Sequence, residues 1–258
     1  MTRKGGQRKL KRYAAPPCFQ IPVKAYKWVV HPNPGPHPMD YCVPLALILR
    51  DFLKYARTLR EVKYILNQGY VRVDGVVRRD YKFPVGVMDV ISIDKVGKHF
   101  RVLPRGWRLV LTEISEEEAS LKVCRVNNKT TVKGGHIQVT LHDGRNVLFQ
   151  VSDPRQKPEN VPRVGDGLFI RVPEQEVLAH LPLRKGVVAL IYRGTNAGIV
   201  GKISEIKPLP RRKLVTIDAQ LGGTYRTIHQ YIMPVGDQEP VITIPQPIQG
   251  IVPSGVLE

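Results

Sequence analysis

Three features are scarce or absent in this sequence. No apolar run among its 258 residues approaches the ~18 residues that mark a membrane helix. The charged N-terminal stretch has no apolar core, so it does not read as a secretory signal. The three cysteines, Cys18, Cys42 and Cys124, are too few and too scattered for a disulfide framework. These absences exclude a disulfide scaffold and predict a soluble, intracellular protein that makes no membrane contact.

Acidic residues are scarce as well. None precedes Asp40, whereas eight Lys and Arg residues do. The chain carries 40 Lys+Arg against 22 Asp+Glu, a net charge of +18. Removing the first eight charges still leaves 18 − 8 = +10 on the remainder. A basic tail on a basic body predicts a polyanionic partner, RNA or DNA. A membrane-surface role would need a basic amphipathic helix, which the Gly- and Pro-punctuated tail does not offer.

Residues 1–42 read as a basic extended arm, because their prolines prevent a long helix. Four aromatic residues stand among the positive charges: Tyr13, Phe19, Tyr26 and Trp28. Two interpretations fit them equally well. They stack on nucleobases while the cations hold phosphates, or they fasten the arm to the globular body.

Two cysteines and two histidines of this region could in principle bind zinc: Cys18, His31, His37 and Cys42. However, the segment has no C-x-x-C knuckle, and its histidines stand in the proline-rich stretch HPNPGPHP. We prefer a proline-stiffened loop to a metal site, and we predict no metal and no cofactor.

After Pro44 the pattern becomes helical. A stripe of five apolar residues predicts one buried helix face: Leu45, Ile48, Leu49, Phe52 and Leu53. Arg50, Lys54 and Arg57 are predicted to line up on its opposite face. Thr58 and Glu61 have capping-box spacing, and Gly69 is placed to end the second short helix.

Hairpin signals follow. Asp74-Gly75 between valine-rich runs predicts a type I′ turn. Asp143-Gly144 follows an alternating run at 137–142 and predicts a further hairpin. The acidic residues 116–118 follow Ser115, so a helix N-terminus explains them better than a metal site.

The stretch PLALILRDFLKYARTLREVKYILNQGYVRVDGVVRRDYKFPVGVMDVI resembles the S4-type RNA-binding domain, the small αL module. With GPHP before it and ISIDKVGKHFRV after it, nearly the whole chain resembles the S4e family of archaeal and eukaryotic small-subunit ribosomal proteins. The resemblance implies that the positive face of this module meets ribosomal RNA. The ending lacks the long basic tail of eukaryotic members, which favours an archaeal-type sequence.

The glycines and the lysine in the stretch RGTNAGIVGKISEI (193–206) raise the question of a nucleotide-binding loop. Asn196 stands where a P-loop needs its first glycine, and Ile203 replaces the hydroxyl that would hold magnesium. The alternation after Gly201 predicts a strand rather than a phosphate-binding helix N-terminus. A tight loop between two strands remains, and it resembles the KOW motif of SH3-like barrels, whose loop by resemblance touches RNA or a neighbouring protein. Gly194 and Gly201 are expected to be architectural, and the stretch KPLPRRK after it is predicted to clamp phosphate through Lys207, Arg211, Arg212 and Lys213.

The predicted fold is mostly β with a small α+β RNA-binding module. The predicted divisions are a basic arm (1–42), the αL module (43–104), a central β-rich domain (105–175), a KOW/SH3-like barrel (176–238) and an extended C-terminal segment (239–258). The predicted RNA contacts are Arg3, Lys4, Arg8, Lys9, Lys11, Arg12, Tyr13, Arg50, Lys54, Arg57, Arg60, Lys63, Arg72, Arg78, Arg79, Lys82, Arg193, Thr195, Asn196, Lys202, Arg211, Arg212 and Lys213.

The predicted function is a structural constituent of the small ribosomal subunit in the cytoplasm, with ribosomal RNA and neighbouring ribosomal proteins as partners and no small-molecule substrate. Two other classes of function are alternatives to this one. An RNA-modifying enzyme is disfavoured because the chain has no G-x-S-x-G or H-E-x-x-H motif and no room for a separate catalytic domain. A transcription-elongation or translation factor rests on the KOW resemblance alone.

Overall fold

The computed structural model describes residues 9–151, 161–210, 212–219 and 222–245. Within these residues, strands dominate and the helices are short, which confirms the prediction of a mostly β chain with a small α+β module. None of the helices in these ranges is long and apolar enough to cross a membrane.

The described part of the N-terminal region folds back onto the body. Two short antiparallel strands form a hairpin: β1 (Leu10–Lys11) and β2 (Trp28–Val29). Single turns of 3-10 helix lie around them, and no longer helix forms because prolines recur throughout the segment. Phe19 is only 1% exposed and joins the main core. The aromatic residues therefore divide between the two interpretations: Phe19 fastens the segment, whereas Tyr13, Tyr26 and Trp28 are exposed.

The predicted αL module begins with β3 (Cys42–Pro44) and α1 (Leu45–Leu47), which continues as a π-helical turn, Ile48–Phe52. The predicted apolar stripe is buried except for Leu53, which is partly buried. The helix nevertheless ends at Phe52, and Lys54 has a left-handed φ of 56°. The predicted line of Arg50, Lys54 and Arg57 along one helix face is therefore wrong.

The second helix, α2 (Leu59–Asn67), begins and ends as predicted. The Thr58 hydroxyl accepts a hydrogen bond from the Glu61 amide at 3.3 Å, and the Glu61 carboxylate accepts one from the Arg57 amide at 2.8 Å. The first bond satisfies an amide of the first turn that has no helical partner, and the second joins Glu61 to the residue before the N-cap. Gly69, with φ +78°, follows the end of the helix.

Six strands complete this part: β4 (Val71–Val73), β5 (Val76–Val77), β6 (Pro84–Gly86), β7 (Val90–Ile93), β8 (Lys98–Arg105) and β9 (Arg108–Ile114). Five form a sheet in the order β5-β4-β7-β8-β9, and β6 pairs with β3. Asp74 and Gly75 both have positive φ, 51° and 76°, which confirms the tight hairpin turn between β4 and β5. The predicted division at residue 104 falls inside β8, whose partner β9 extends the same sheet.

The central sheet has the order β12-β11-β10-β13-β14. Its elements are α3 (Glu116–Ala119), β10 (Leu121–Thr131), β11 (Ile137–Leu141), β12 (Asn146–Phe149), β13 (Gly167–Arg171) and β14 (Glu176–Leu181). The Ser115 hydroxyl accepts a hydrogen bond from the Glu118 amide, which confirms that the acidic cluster opens a helix. The hairpin at Asp143-Gly144 is confirmed by the β11–β12 pairing.

The C-terminal sheet is antiparallel, in the order β18-β17-β16-β15-β19. Its strands are β15 (Val188–Ile191), β16 (Val200–Pro208), β17 (Lys213–Ala219), β18 (Thr224–Ile228) and β19 (Ile232–Gly236). After β19, Ile242 and Ile244 are buried in the main core. That core also takes side chains from the N-terminal hairpin, the module and all later sheets, so the parts of the chain pack as one body.

Candidate RNA interface

The N-terminal hairpin concentrates positive charge around one aromatic ring. The ammonium groups of Lys9, Lys11 and Lys27 lie 5.8–5.9 Å from the centroid of the Trp28 ring. Trp28 is 50% exposed. Cations beside an exposed indole can hold phosphates while the ring offers a stacking surface, so this geometry suits a nucleic acid.

A second group of this kind lies on the module. Lys63 of α2 and Lys82 lie 4.8 and 5.6 Å from the Tyr81 ring centroid. The Arg50 guanidinium lies 5.0 Å from the Tyr26 ring and makes two 2.8 Å hydrogen bonds to Asp51. Those bonds raise the pKa of Arg50 and leave less of its positive charge available to an outside anion.

The hairpin and the module enclose a cleft of about 440 Å³. Aromatic and cationic side chains from both parts line it: Lys9, Tyr26, Trp28, Arg50, Tyr81 and Lys82. Buried Leu10 and Ile21 lie in its apolar wall. The structure therefore brings Lys9, Arg50 and Lys82 together, although the sequence placed them in separate segments.

Several predicted contacts already have partners within the protein. Arg12 is half-buried and donates hydrogen bonds to the Ile21 and Pro22 carbonyls. Arg72 pairs with Asp94 at 2.9 Å on an exposed surface. Arg78 is half-buried, with its guanidinium 4.5 Å from the Phe83 ring centroid. By contrast, three other predicted contacts are exposed to solvent: Arg57, Arg60 and Arg79.

The loop between β15 and β16 is partly packed against the rest of the protein. The Arg193 guanidinium lies 4.4 Å from the Tyr41 ring and 5.2 Å from the Tyr192 ring. The Gly106 amide donates to the Ala197 carbonyl at 2.7 Å, which joins the loop to the β8–β9 turn. Of the predicted contacts here, Thr195 and Lys202 are exposed, whereas Arg193 and Asn196 are half-buried.

The glycines of this loop have structural roles, as predicted. Gly194 has a φ of +89°, which few residues with a side chain adopt. A Cβ at Gly201 would lie 2.2 Å from the Asp218 carbonyl oxygen, so only glycine lets β16 approach β17 this closely. Strand β16 follows the loop directly, which agrees with the rejection of a P-loop.

Some predicted contacts lie at or beyond the limits of the described residues. Lys213 at the start of β17 and Arg212 just before it are exposed. Lys207 is exposed near the end of β16 and pairs with Glu205 at 3.1 Å. Arg3, Lys4, Arg8 and Arg211 lie outside the described residues.

A quite different set of charges is buried where the module meets the central sheet. Lys122 of β10 is fully buried, and its nitrogen lies 2.6 Å from Asp74, 2.6 Å from Asp89 and 3.0 Å from Asp143. Arg145 also pairs with Asp74 and Asp143, at 2.8 and 3.0 Å. Burial works against charge on Lys122, but the three carboxylates raise its pKa well above the usual value. We call these five residues the buried charge cluster.

The N-terminal region also contacts this cluster. His37 is buried, and its Nε2 lies 3.0 Å from an Asp89 carboxylate oxygen. Besides Lys122, that carboxylate also contacts the Gly86 amide, which donates to it at 2.8 Å. Burial opposes ionisation of Asp89, but attraction to His37 and Lys122 holds its pKa below the usual range. The cluster therefore links three parts of the chain.

Cys124, His142 and Asp143 lie beside the cluster, with one potential ligand atom from each within 4.8 Å of the others. Both His142 nitrogens are engaged, with the Arg125 amide at 3.3 Å and the Val87 carbonyl at 3.2 Å. Burial lowers the pKa of His142 to about 4 and raises the pKa of the Cys124 thiol. Because Lys122 already occupies the Asp143 carboxylate, these residues do not fit a resident metal.

The residues of the N-terminal region that could in principle bind zinc are engaged in other contacts. The Cys18 thiol donates to the Cys42 carbonyl at 3.3 Å, and His31 Nδ1 lies 2.7 Å from the Pro32 carbonyl. Burial raises the pKa of both thiols to about 12, so they remain protonated at neutral pH. Within the ranges that the structure describes, these residues and His37 do not form a ligand cluster.

Sequence reasoning missed two parts of this arrangement. The predicted RNA contacts of its segment are all cations and omit Tyr81. An aromatic residue next to Lys82 was the signal for it in the sequence. The buried charge cluster was missed because Asp143 was assigned only a turn role. Lys122 within the apolar run LKVCRV was the signal there, since a cation inside a buried strand needs carboxylate partners.

Comparison with known proteins agrees with this arrangement. Three family models match the chain: the RS4NT (NUC023) domain at residues 4–40, the S4 domain at 43–91 and the ribosomal family S4e at 96–177. The small ribosomal subunit protein eS4 of Staphylothermus marinus is 47% identical, over 95% of this chain and 99% of the relative. Its counterpart from Aeropyrum pernix is 48% identical, over 95% and 98%.

Solved structures give the same result. The crystal structure of the 30S ribosomal protein S4e from Thermoplasma acidophilum has a TM-score of 0.63 and 35% identity, and it covers 77% of this chain and 96% of that one. These relatives carry the name of a ribosomal protein and not of an enzyme. Since relatives of this identity are matched over almost their whole length, the chain belongs to the S4e family of small-subunit ribosomal proteins and carries its S4 RNA-binding domain.

Proposed function

We propose that this protein binds folded small-subunit ribosomal RNA through the N-terminal hairpin and the S4 module, as a structural constituent of cytoplasmic ribosomes. The observation that carries the proposal is the grouping of Lys9, Lys11 and Lys27 around exposed Trp28, close to Lys82 across one cleft. These cations would displace counterions from RNA phosphates, a gain in entropy that does not depend on sequence. The net charge of +18 supports a broad interface.

The loop at 193–202 and the residues Arg212 and Lys213 belong to the proposal as secondary contacts. Their exposed members, Thr195 and Lys202 in the loop, suit RNA or a neighbouring ribosomal protein. The likeness of this loop to a KOW motif supports that role, whereas Arg193 serves mainly to pack the loop against Tyr41.

Two measurements test the proposal. In a sucrose gradient of a gentle cell extract, the protein should sediment with the small subunit and remain there at moderate salt. With purified components, the affinity for small-subunit ribosomal RNA should fall with salt at a log–log slope on the order of −7 to −9, as roughly ten phosphate contacts imply. A slope near −2, or sedimentation at the top of the gradient, would contradict the proposal.

A further inference from the structure

The cleft between the hairpin and the S4 module has a composition that phosphate binding alone does not explain. Three aromatic rings reach it from two separate chain segments: Tyr26 and Trp28 from the N-terminal region, and Tyr81 from the module. Each ring has a cation within 6 Å of its centroid. Flat, electron-rich rings flanked by cations are the elements with which proteins hold a nucleobase and its phosphates together.

The charge of the cleft is one-sided. Among the described residues, its charged lining consists of Lys9, Arg50 and Lys82, without a carboxylate. Arg50 is partly neutralised by Asp51, but within the described residues no ion pair involves Lys9 or Lys82. Lys11 and Lys27, which lie beside Trp28, add positive charge next to the residues that line the cleft. An anionic ligand is therefore favoured over a neutral or basic one.

The size and shape of the cleft select one form of nucleic acid. Its volume of about 440 Å³ lies in the lower part of the range, about 300–1,000 Å³, that is typical of small-ligand clefts. A double helix keeps its bases stacked inside and cannot enter such a space. A single base turned out of an RNA loop or bulge can enter it, and sequence-tolerant stacking on aromatic rings is the usual way of holding such bases.

We infer that this cleft binds one unstacked nucleobase of an RNA strand. The base stacks on Trp28 or Tyr81, and the adjoining phosphates lie on Lys9 and Lys82. The inference rests on the proposed RNA-binding function and adds a site that distinguishes single-stranded from double-stranded RNA. Because every base has a flat face, the cleft selects an unpaired nucleotide rather than a particular base.

The chain has two tryptophans, and this makes a direct test possible. In the Trp107→Phe protein, Trp28 is the sole tryptophan and reports on its own surroundings. The probes are an oligouridylate and an abasic oligoribonucleotide of equal length and charge, with binding followed separately by the anisotropy of an end label. The oligouridylate should quench Trp28 emission on binding, and the abasic strand should bind without quenching. Equal quenching by both strands, or binding of oligouridylate without quenching, would overturn the inference.

Substitutions give a second test. Trp28→Ala and Tyr81→Ala should each weaken oligouridylate binding roughly tenfold and leave binding of the abasic strand almost unchanged. Trp107→Ala is the matched control, because Trp107 is 62% exposed and lies outside the cleft. An equal loss for both strands would indicate a folding defect or a purely electrostatic role and would overturn the inference.

A third test uses the unaltered chain, so it does not depend on the folding of a variant. Oligouridylate that carries 4-thiouridine should crosslink to the peptides containing Trp28 or Tyr81, and crosslinks confined to other segments would contradict the inference. Binding of small-subunit ribosomal RNA is measured in parallel. If that binding and its salt dependence are intact while base-dependent quenching is absent, only the cleft inference fails. If ribosomal RNA does not bind at all, the proposed function fails.

Discussion

Lys11 and Lys122 show how differently one residue type is used in two regions of this molecule. Lys11 is exposed on the N-terminal hairpin, 5.9 Å from the Trp28 ring, and no carboxylate partner is found for it within the described residues. Lys122 is fully buried and contacts three carboxylates at 2.6–3.0 Å. The charge of Lys11 is available to a polyanion, whereas the charge of Lys122 is paired with carboxylates inside the protein. Net charge alone therefore overstates the surface that can meet RNA.

The two regions are nevertheless connected. His37 and Asp89 join the N-terminal segment to the S4 module, and Asp89 also contacts Lys122. The cleft lies between the hairpin that precedes His37 in this segment and the same module. The buried charge cluster thus helps fix the relative positions of the two walls that present cations and aromatic rings. A change deep in the protein should alter RNA binding only by loosening that arrangement.

The largest expected effect on stability comes from removing the buried lysine of this comparison, Lys122. Lys122→Met should lower the free energy of unfolding by about 3–5 kcal/mol, because it leaves buried carboxylates without their main partner. Urea denaturation at neutral pH, followed by circular dichroism, measures the change. A loss below about 1 kcal/mol would show that Arg145 and water compensate for Lys122.

A rescue experiment separates charge from packing in this variant. Adding Asp89→Asn and Asp143→Asn to Lys122→Met removes the uncompensated charges and should restore a substantial part of the stability. If the triple variant is no more stable than the single one, the loss comes from the shape of the lysine side chain and not from its charge.

A second expected effect concerns pH. The folded-state pKa of His142 is about 4, below its ordinary value of about 6.5, because burial disfavours the charged ring. Between these values the unfolded chain binds a proton that the folded chain does not. Stability is therefore complete above pH ~6.5 and falls by up to ~3 kcal/mol as the pH drops to about 4. Below that, protonation of Asp89 and Asp143, whose folded-state pKa values are depressed, adds a further loss.

Urea denaturation at a series of pH values tests this assignment. His142→Gln keeps a hydrogen-bonding side chain at the site but cannot titrate, so its stability should vary less between pH 6.5 and 4. The absolute stability of this variant is not the readout, because the substitution also changes packing. Parallel pH profiles for the variant and the wild type would show that His142 does not cause the loss.

The sequence was informative where a local rule applied. Thr58 and Glu61 predicted the start of α2 through capping, and Asp74-Gly75 predicted a turn that requires positive φ at both residues. It was misleading at Arg50, Lys54 and Arg57, because a π-helical turn and a left-handed Lys54 end the first helix early. Lys122 in a buried strand indicates that carboxylate partners are needed, but which carboxylates it meets could not be predicted, since the proximity of Asp74 and Lys122 depends on how separate sheets pack.

The smallest expected effect on stability comes from replacing the exposed lysine of this comparison, Lys11. Lys11→Met should change the free energy of unfolding by less than about 0.5 kcal/mol, because the side chain is exposed and its cation–π contact to Trp28 is weak in water. Its affinity for small-subunit ribosomal RNA should fall, and the magnitude of the log–log salt slope should decrease by about 0.7–0.9, the share of one phosphate contact. Arg193→Met is the contrasting variant: its guanidinium packs between Tyr41 and Tyr192, so it should lose stability and leave the slope unchanged. If Lys11→Met left the slope as it is, the hairpin lysines would not contact phosphate, and exposure would not be enough to identify the cations that bind RNA.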